Sequence, residues 1–182
     1  MPWTVNASRR VLKDRWISVR ADDCRTSEGK EIAPFYVLEY LDWVQVVAVD
    51  TEDHIILVEQ YRHGLGVTSL ELPAGAIEST DANPLIAGAR ELQEETGYGG
   101  PNWQSVGRLS PNPASHNNLC HVVVALGVSF QKAPVDDPAE RVRVVRLPIP
   151  DAIHLAMSGG IIQAMHVASM ILGLSVTGKW KP

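Results

Sequence analysis

Four residues in one short stretch carry the chemistry: Arg90, Glu91, Glu94 and Glu95. On a helix turning about 100° per residue, Glu91 and Glu95 lie about 40° apart and Glu91 and Glu94 about 60° apart. The three carboxylates then share one face, a single turn deep. Like charges at this spacing repel one another, and the last turns of a helix disfavour anions. Something positive must offset them. Arg90, four residues before Glu94, can do so if the face is merely solvated. A divalent cation is the other solution. Just upstream, Leu72-Pro73-Ala74-Gly75 holds a Pro and a Gly that bend the backbone, so a carbonyl can point at the carboxylates. Carboxylates plus a carbonyl make an all-oxygen site of the kind Mg²⁺ or Mn²⁺ accepts.

The element that must carry these residues is a helix from Asn83 to Thr96. Asn83 is suited to its N-cap, and Pro84 takes the first helical position, where a missing N–H is harmless. Leu85, Ala89 and Leu92 form its apolar stripe, and Gly97 suits the residue after its end. Before it, Val44 to Val49 and Ile55 to Val58 read as a hairpin with at least one buried strand, and Leu70-Glu71-Leu72 as a short strand. Strand-like runs return at Val106 to Leu109, His121 to Leu126 and Val142 to Leu147. Two helical segments follow, about Asp151 to Met157 and Ile161 to Leu172, separated by Ser158-Gly159-Gly160. At the N-terminal end, Trp16, Val19 and Ala21 alternate as a strand, as do Phe35, Val37 and Glu39, with a turn at Thr26-Ser27-Glu28-Gly29-Lys30 between them. Helices flanking a mixed sheet make the chain α/β or α+β. We divide it into an N-terminal antiparallel β extension, residues 1–43, and a main domain, residues 44–182.

Composition narrows the function. The 182 residues are 45% hydrophobic, enough for a core that excludes disorder as the main state. Sixteen basic against 21 acidic residues leave a net charge of −5, which argues against a nonspecific nucleic-acid binder. Cys24 and Cys120 lack the spacing of a zinc site and read as free thiols of a reducing compartment. The N-terminus lacks the basic and apolar pattern of a signal peptide. The apolar stretch from Ile161 to Val176 is interrupted by Gln163, His166, Ser169 and Gly173, short of a membrane span. A cytoplasmic protein without membrane or nucleic-acid partners is expected.

The stretch from Gly75 to Tyr98 resembles the signature of the Nudix hydrolases, whose second half is matched in full by Arg90-Glu91-Leu92-Gln93-Glu94-Glu95-Thr96-Gly97-Tyr98. The first half departs twice: Asp81 stands where the family has Glu, and the spacing to Arg90 is one residue longer. Leu57-Val58-Glu59-Gln60-Tyr61-Arg62, Glu71-Leu72-Pro73-Ala74-Gly75 and Pro113 narrow the resemblance to the ADP-ribose pyrophosphatase branch. The resemblance implies a Nudix fold, a mixed sheet sandwiched between helices, and Mg²⁺-dependent cleavage of a nucleoside diphosphate sugar. It makes Glu91, Glu94, Glu95 and the Ala74 carbonyl metal ligands. Glu94, Glu95, Arg90 and Glu140 become catalytic residues, Glu140 from the acidic loop Asp136-Asp137-Pro138-Ala139-Glu140. Substrate binding falls to Arg62, Glu71 and Pro113. It implies a homodimer that exchanges the N-terminal β-unit.

Asn117-Asn118 stand where that branch often has an acid, which keeps GDP-mannose or another nucleotide sugar open as substrate. A Nudix-fold module that senses such a ligand is the reading from another class, and it predicts loss of the box carboxylates, which are all present. Trp16, Tyr36, Tyr40, Trp43 and Trp103 could stack on a base, and the sequence does not choose among them. His116 lies in a polar loop and reads as merely exposed.

Overall fold

Every residue from Val44 to Asp50 is buried, in a strand where side chains must alternate between two faces. Both faces of the sheet are therefore covered, which is why Val46 to Val49 are apolar without alternation. The computed structural model, which describes residues 2–135 and 141–181, shows what covers them. Val44, Val46 and Ala48 pack with Ile56, Ala87, Leu92, Val123 and Ala125 on one face. Val47 and Val49 pack with Leu57, Val122, Val124, Ala152, Met170 and Leu174 on the other. Burying each such Val, Leu, Ile or Met side chain stabilises the fold by roughly 1.5–3 kcal/mol.

The chain divides into two units, Met1–Asp42 with Ser110–Leu119, and Trp43–Leu109 with Cys120–Pro182. The first is an antiparallel sheet of β1 (Thr4–Lys13), β2 (Ser18–Arg25) and β3 (Glu31–Glu39), in that order. The segment Ser110–Leu119 lies along the end of β3, with Leu38 N–H donating to the Ser115 carbonyl at 2.7 Å. Sequence reading missed β1. All ten of its residues are exposed, so no face of it needs an apolar period. Trp16 lies outside the strands and is 74% exposed, with the Arg15 guanidinium 4.4 Å from its ring.

The second unit holds an eight-stranded mixed sheet. Its strands are β4 (Trp43–Asp50), β5 (His54–Arg62), β6 (Val67–Glu71), β7 (Ala74–Ala76), β8 (Tyr98–Gly99), β9 (Asn102–Leu109), β10 (Cys120–Phe130) and β11 (Val142–Pro148). Helix α1 (Pro84–Thr96) covers one face, and α2 (Ile149–Ser158) and α3 (Ala164–Val176) cover the other. No described helix is long and apolar enough to cross a membrane.

The β4–β5 hairpin pairs only beside its turn, at Ala48 with Ile56 and Val49 with Ile55. Further along, β5 turns to β6 and β4 turns to β7. The two strands part, and the Pro73 turn enters there: Val46 N–H donates to the Pro73 carbonyl at 2.9 Å. That opening places Ala74 and Gly75 against α1.

Both ends of α1 are as the sequence indicates. The Asn83 side chain accepts from the N–H groups of Leu85 and Ile86 at 2.9 and 3.1 Å. Gly97 ends the helix at φ +74°, a conformation that favours glycine, and a Cβ there would strike the Lys132 carbonyl. Helix α3 begins three residues later than its apolar pattern suggests. The Gln163 side chain accepts from Met165 N–H at 2.7 Å and takes the capping role the pattern hides.

Candidate active site

Arg90 is the hub of the acidic helix face. Its Nη1 donates to Glu91 Oε1 at 2.8 Å and to Glu94 Oε2 at 3.0 Å. Its Nη2 donates to Asp81 Oδ2 and to the Ala76 carbonyl, both at 3.0 Å, and its Nε to Asp81 Oδ1 at 3.3 Å. The guanidinium has five N–H donors, and these five contacts use them. The Asp81 bonds do most to raise the Arg90 pKa above its usual value, and they hold Asp81 below the ordinary carboxylate range. The spacing from Asp81 to Arg90 is one residue longer than in the family signature, and Asp81 still meets the guanidinium. Its N–H turns back onto the Glu78 carbonyl at 3.0 Å, and Glu78 N–H donates to Asp81 Oδ2 at 2.9 Å.

Glu95 is held from the other side. Its Oε2 accepts the Ala74 N–H at 3.1 Å. The Glu91 carboxylate lies flat against Gly75, where any Cβ would collide with it. Glycine is needed there for close approach.

Asp81, Glu91 and Glu94 share the one guanidinium of Arg90, and Glu95 on the same helix meets the Ala74 amide, a local surplus of three negative charges. Among the described residues, no three His, Cys, Asp or Glu side chains are arranged as a cation cage. The donor chemistry nonetheless suits a hard divalent cation. All the side-chain donors are carboxylate oxygens on one helix face, the charge surplus favours a cation, and neither sulfur nor imidazole takes part.

A second cluster lies at the end of β6. Glu71, 1% exposed, accepts from Arg62 Nη2 at 2.5 Å and Arg62 Nε at 3.0 Å, and lies 3.0 Å from His166 Nε2. Burial pushes the Glu71 pKa up, but the His166 and Arg62 bonds outweigh it and hold the carboxyl down to about 2. Glu71, expected to bind substrate, is buried behind Arg62, whose side chain is 43% exposed. Sequence reading missed His166. It is a single polar residue in the apolar run of α3, a pattern that reads as core.

Pro113 is in Ser110–Leu119, part of the first unit. Glu140 lies outside the described residues. His116 packs on the Tyr40 ring, centroids 5.3 Å apart. Trp103 donates its indole N–H to the Gly100 carbonyl at 2.8 Å and borders a cleft of about 440 Å³ along α1, with Arg90, Glu94 and Lys132 on its walls.

Residues 40–160 match the NUDIX domain family, and residues 3–38 match the nucleoside diphosphate sugar hydrolase N-terminal domain. The ADP-ribose pyrophosphatase of Mycobacterium tuberculosis is 30% identical over 161 residues, covering 88% of this chain and 77% of that protein. The ADP-ribose pyrophosphatase of Bacillus subtilis is 29% identical, covering 87% of this chain and 85% of its own. A solved ADP compounds hydrolase shares the fold, with a TM-score of 0.84 over 99% of this chain and 98% of that one at 24% identity. Signature helix, sheet and family match agree, and the chain belongs to the Nudix hydrolase family.

Proposed function

We propose that the protein is a divalent-cation-dependent hydrolase of nucleoside diphosphate sugars, cleaving the diphosphate to a nucleoside monophosphate and a sugar phosphate, with ADP-ribose as first substrate. The observation that carries this reading is the carboxylate surplus beside the Ala74–Gly75 turn. Glu91, Glu94, Glu95 and the Ala74 carbonyl would hold Mg²⁺ or Mn²⁺, which neutralises a diphosphate and lowers the pKa of a bound water. Arg90, anchored by Asp81, keeps Glu91 and Glu94 on one face. Arg62 presents a guanidinium fixed by Glu71, suited to a diphosphate oxygen. The relatives named as ADP-ribose pyrophosphatases and the nucleoside diphosphate sugar hydrolase match at the N-terminus support the substrate class.

Glu140 is the proposed general base, a carboxylate off the metal-binding helix. Glu140→Gln should depress kcat by about 10²–10⁴-fold with KM little moved, and Asp137→Asn should do less. We also propose a homodimer through the N-terminal unit, where Trp3, Val5, Val11, Leu12 and Tyr36 are exposed. Cys24 and Cys120 are buried thiols, which suits the cytoplasm.

The test is product formation over a panel of ADP-, GDP- and UDP-sugars with Mg²⁺ or Mn²⁺, before and after chelation. Turnover that survives thorough chelation overturns the metal assignment. Higher kcat/KM for GDP-sugars than for ADP-ribose overturns the substrate assignment alone.

A further inference from the structure

We propose that His166 is a positioning residue that fixes the Arg62 guanidinium through Glu71, an inference that rests on the substrate-binding role given to Arg62 above.

His166 is 2% exposed and sits in the first turn of α3, on the opposite face of the sheet from α1. Its Nδ1 accepts the Leu72 backbone N–H at 3.1 Å, so that nitrogen carries no proton. The proton of the neutral ring is then on Nε2, which lies 3.0 Å from Glu71 Oε2 and donates to it. One ring thus reads two consecutive residues, the Glu71 side chain and the Leu72 amide, just before the Pro73 turn. Glu71 is fixed from behind by the imidazole and from the front by Arg62 Nε and Nη2.

The arrangement matters because Arg62 ends β5, where chain and side chain are half-exposed. A long cationic side chain there samples many rotamers unless its inner edge is held. Glu71 holds that edge. A buried carboxylate with one partner removed would lose part of its own placement, and the guanidinium with it. Ser169, one turn further along α3, donates to Gln45 Oε1 at 2.6 Å and anchors the same helix to β4.

Two substitutions separate the two ends of the ring. His166→Gln keeps an amide donor near the Nε2 position, so it can still reach Glu71. His166→Asn keeps an acceptor near Nδ1 for Leu72 but leaves Glu71 without its donor. KM for ADP-ribose should rise about tenfold in His166→Asn, within the range for residues coupled in one network, with kcat changed less. His166→Gln should raise KM less. In an Arg62→Ala background, His166→Asn should add little further. The Arg62 Nε–H resonance in a ¹H–¹⁵N spectrum gives a reading that needs no activity: it should be sharp in the wild type and in His166→Gln, and averaged with solvent in His166→Asn.

An Arg62 resonance unchanged in His166→Asn overturns the proposal, as does an undiminished KM effect in the Arg62→Ala background. A wild-type chain that turns over no nucleoside diphosphate sugar overturns the proposed function instead, and the Arg62 resonance still decides the positioning. Should His166→Asn not fold, His166→Ser, which also leaves Glu71 without its donor, decides it in the same two backgrounds, with a KM increase expected only where Arg62 is present.

Discussion

Arg90 and Asp81 are joined by two side-by-side hydrogen bonds, Nη2 to Oδ2 at 3.0 Å and Nε to Oδ1 at 3.3 Å. The Asp81 side chain is 4% exposed, so this fork is shielded from water. It leaves Nη1 aimed at Glu91 and Glu94, the carboxylates assigned to the metal. Asp81 therefore acts on the site at one remove, by setting the angle of Arg90.

Asp81→Asn should lower kcat by about 10- to 100-fold, the scale typical of groups that orient metal ligands. The Asn amide can keep one bond of the fork but not both acceptors. Steady-state kinetics at saturating Mg²⁺ checks this, and wild-type kcat would show that Arg90 holds its place without the fork.

The Asp81 result marks where sequence reasoning stopped. Helix α1 was legible to the residue, because Asn83, Pro84 and Gly97 signal its ends by local chemistry. The carboxylate face was legible because helical spacing fixes it. Loop closure was not: whether an extra residue displaces Asp81 depends on the Glu78 turn, which no periodicity encodes. His166 was hidden for another reason. Its partners, Glu71 and Leu72, are remote in the chain, and in its own helix it is one polar residue among apolar ones. Strand β1 was hidden because exposure on both faces leaves no pattern to read.

Glu71 gives the protein an acid-sensitive step. Its carboxyl is held down to about 2, from an ordinary value of 4.5. The ionised form is thus favoured in the fold, and the stability it contributes is complete above pH 4.5 and lost as pH falls toward 2. Protonation of this one group should remove on the order of 3 kcal/mol across that window. Denaturant titrations between pH 5 and pH 2 should show a shallower acid slope in Glu71→Gln than in the wild type. Equal slopes would place the acid sensitivity in other groups.

Gly75→Ala tests the close approach of Glu91. The added Cβ meets the Glu91 carboxylate directly, and that end of the side chain can move aside. The fold should survive, with a loss of about 1–3 kcal/mol from overpacking. Activity should fall by about 10²-fold, since small misplacements of reacting groups have effects of that size. Thermal unfolding and kcat measured on the same preparation separate the two effects. Activity near wild type would show that Glu91 works from a position away from the Gly75 backbone.

Glu95→Gln separates charge from shape at the carboxylate that meets the Pro73 turn. Glu95 Oε2 accepts the Ala74 N–H at 3.1 Å. The carbonyl oxygen of a Gln can accept the same bond, so the join between α1 and the Pro73 turn should persist and Tm should change little. What disappears is one negative charge of the acidic helix face. A metal ligand that loses its charge binds the cation less well, so the Mg²⁺ concentration for half-maximal rate should rise. kcat should fall by about 10²–10⁴-fold, as for loss of a group acting directly on the reaction. Asp81→Asn should show the smaller fall, because its effect passes through Arg90. The order of the two losses is the decisive reading. Equal losses would put the Asp81 fork on a par with the Glu95 charge and overturn the division between metal ligand and support.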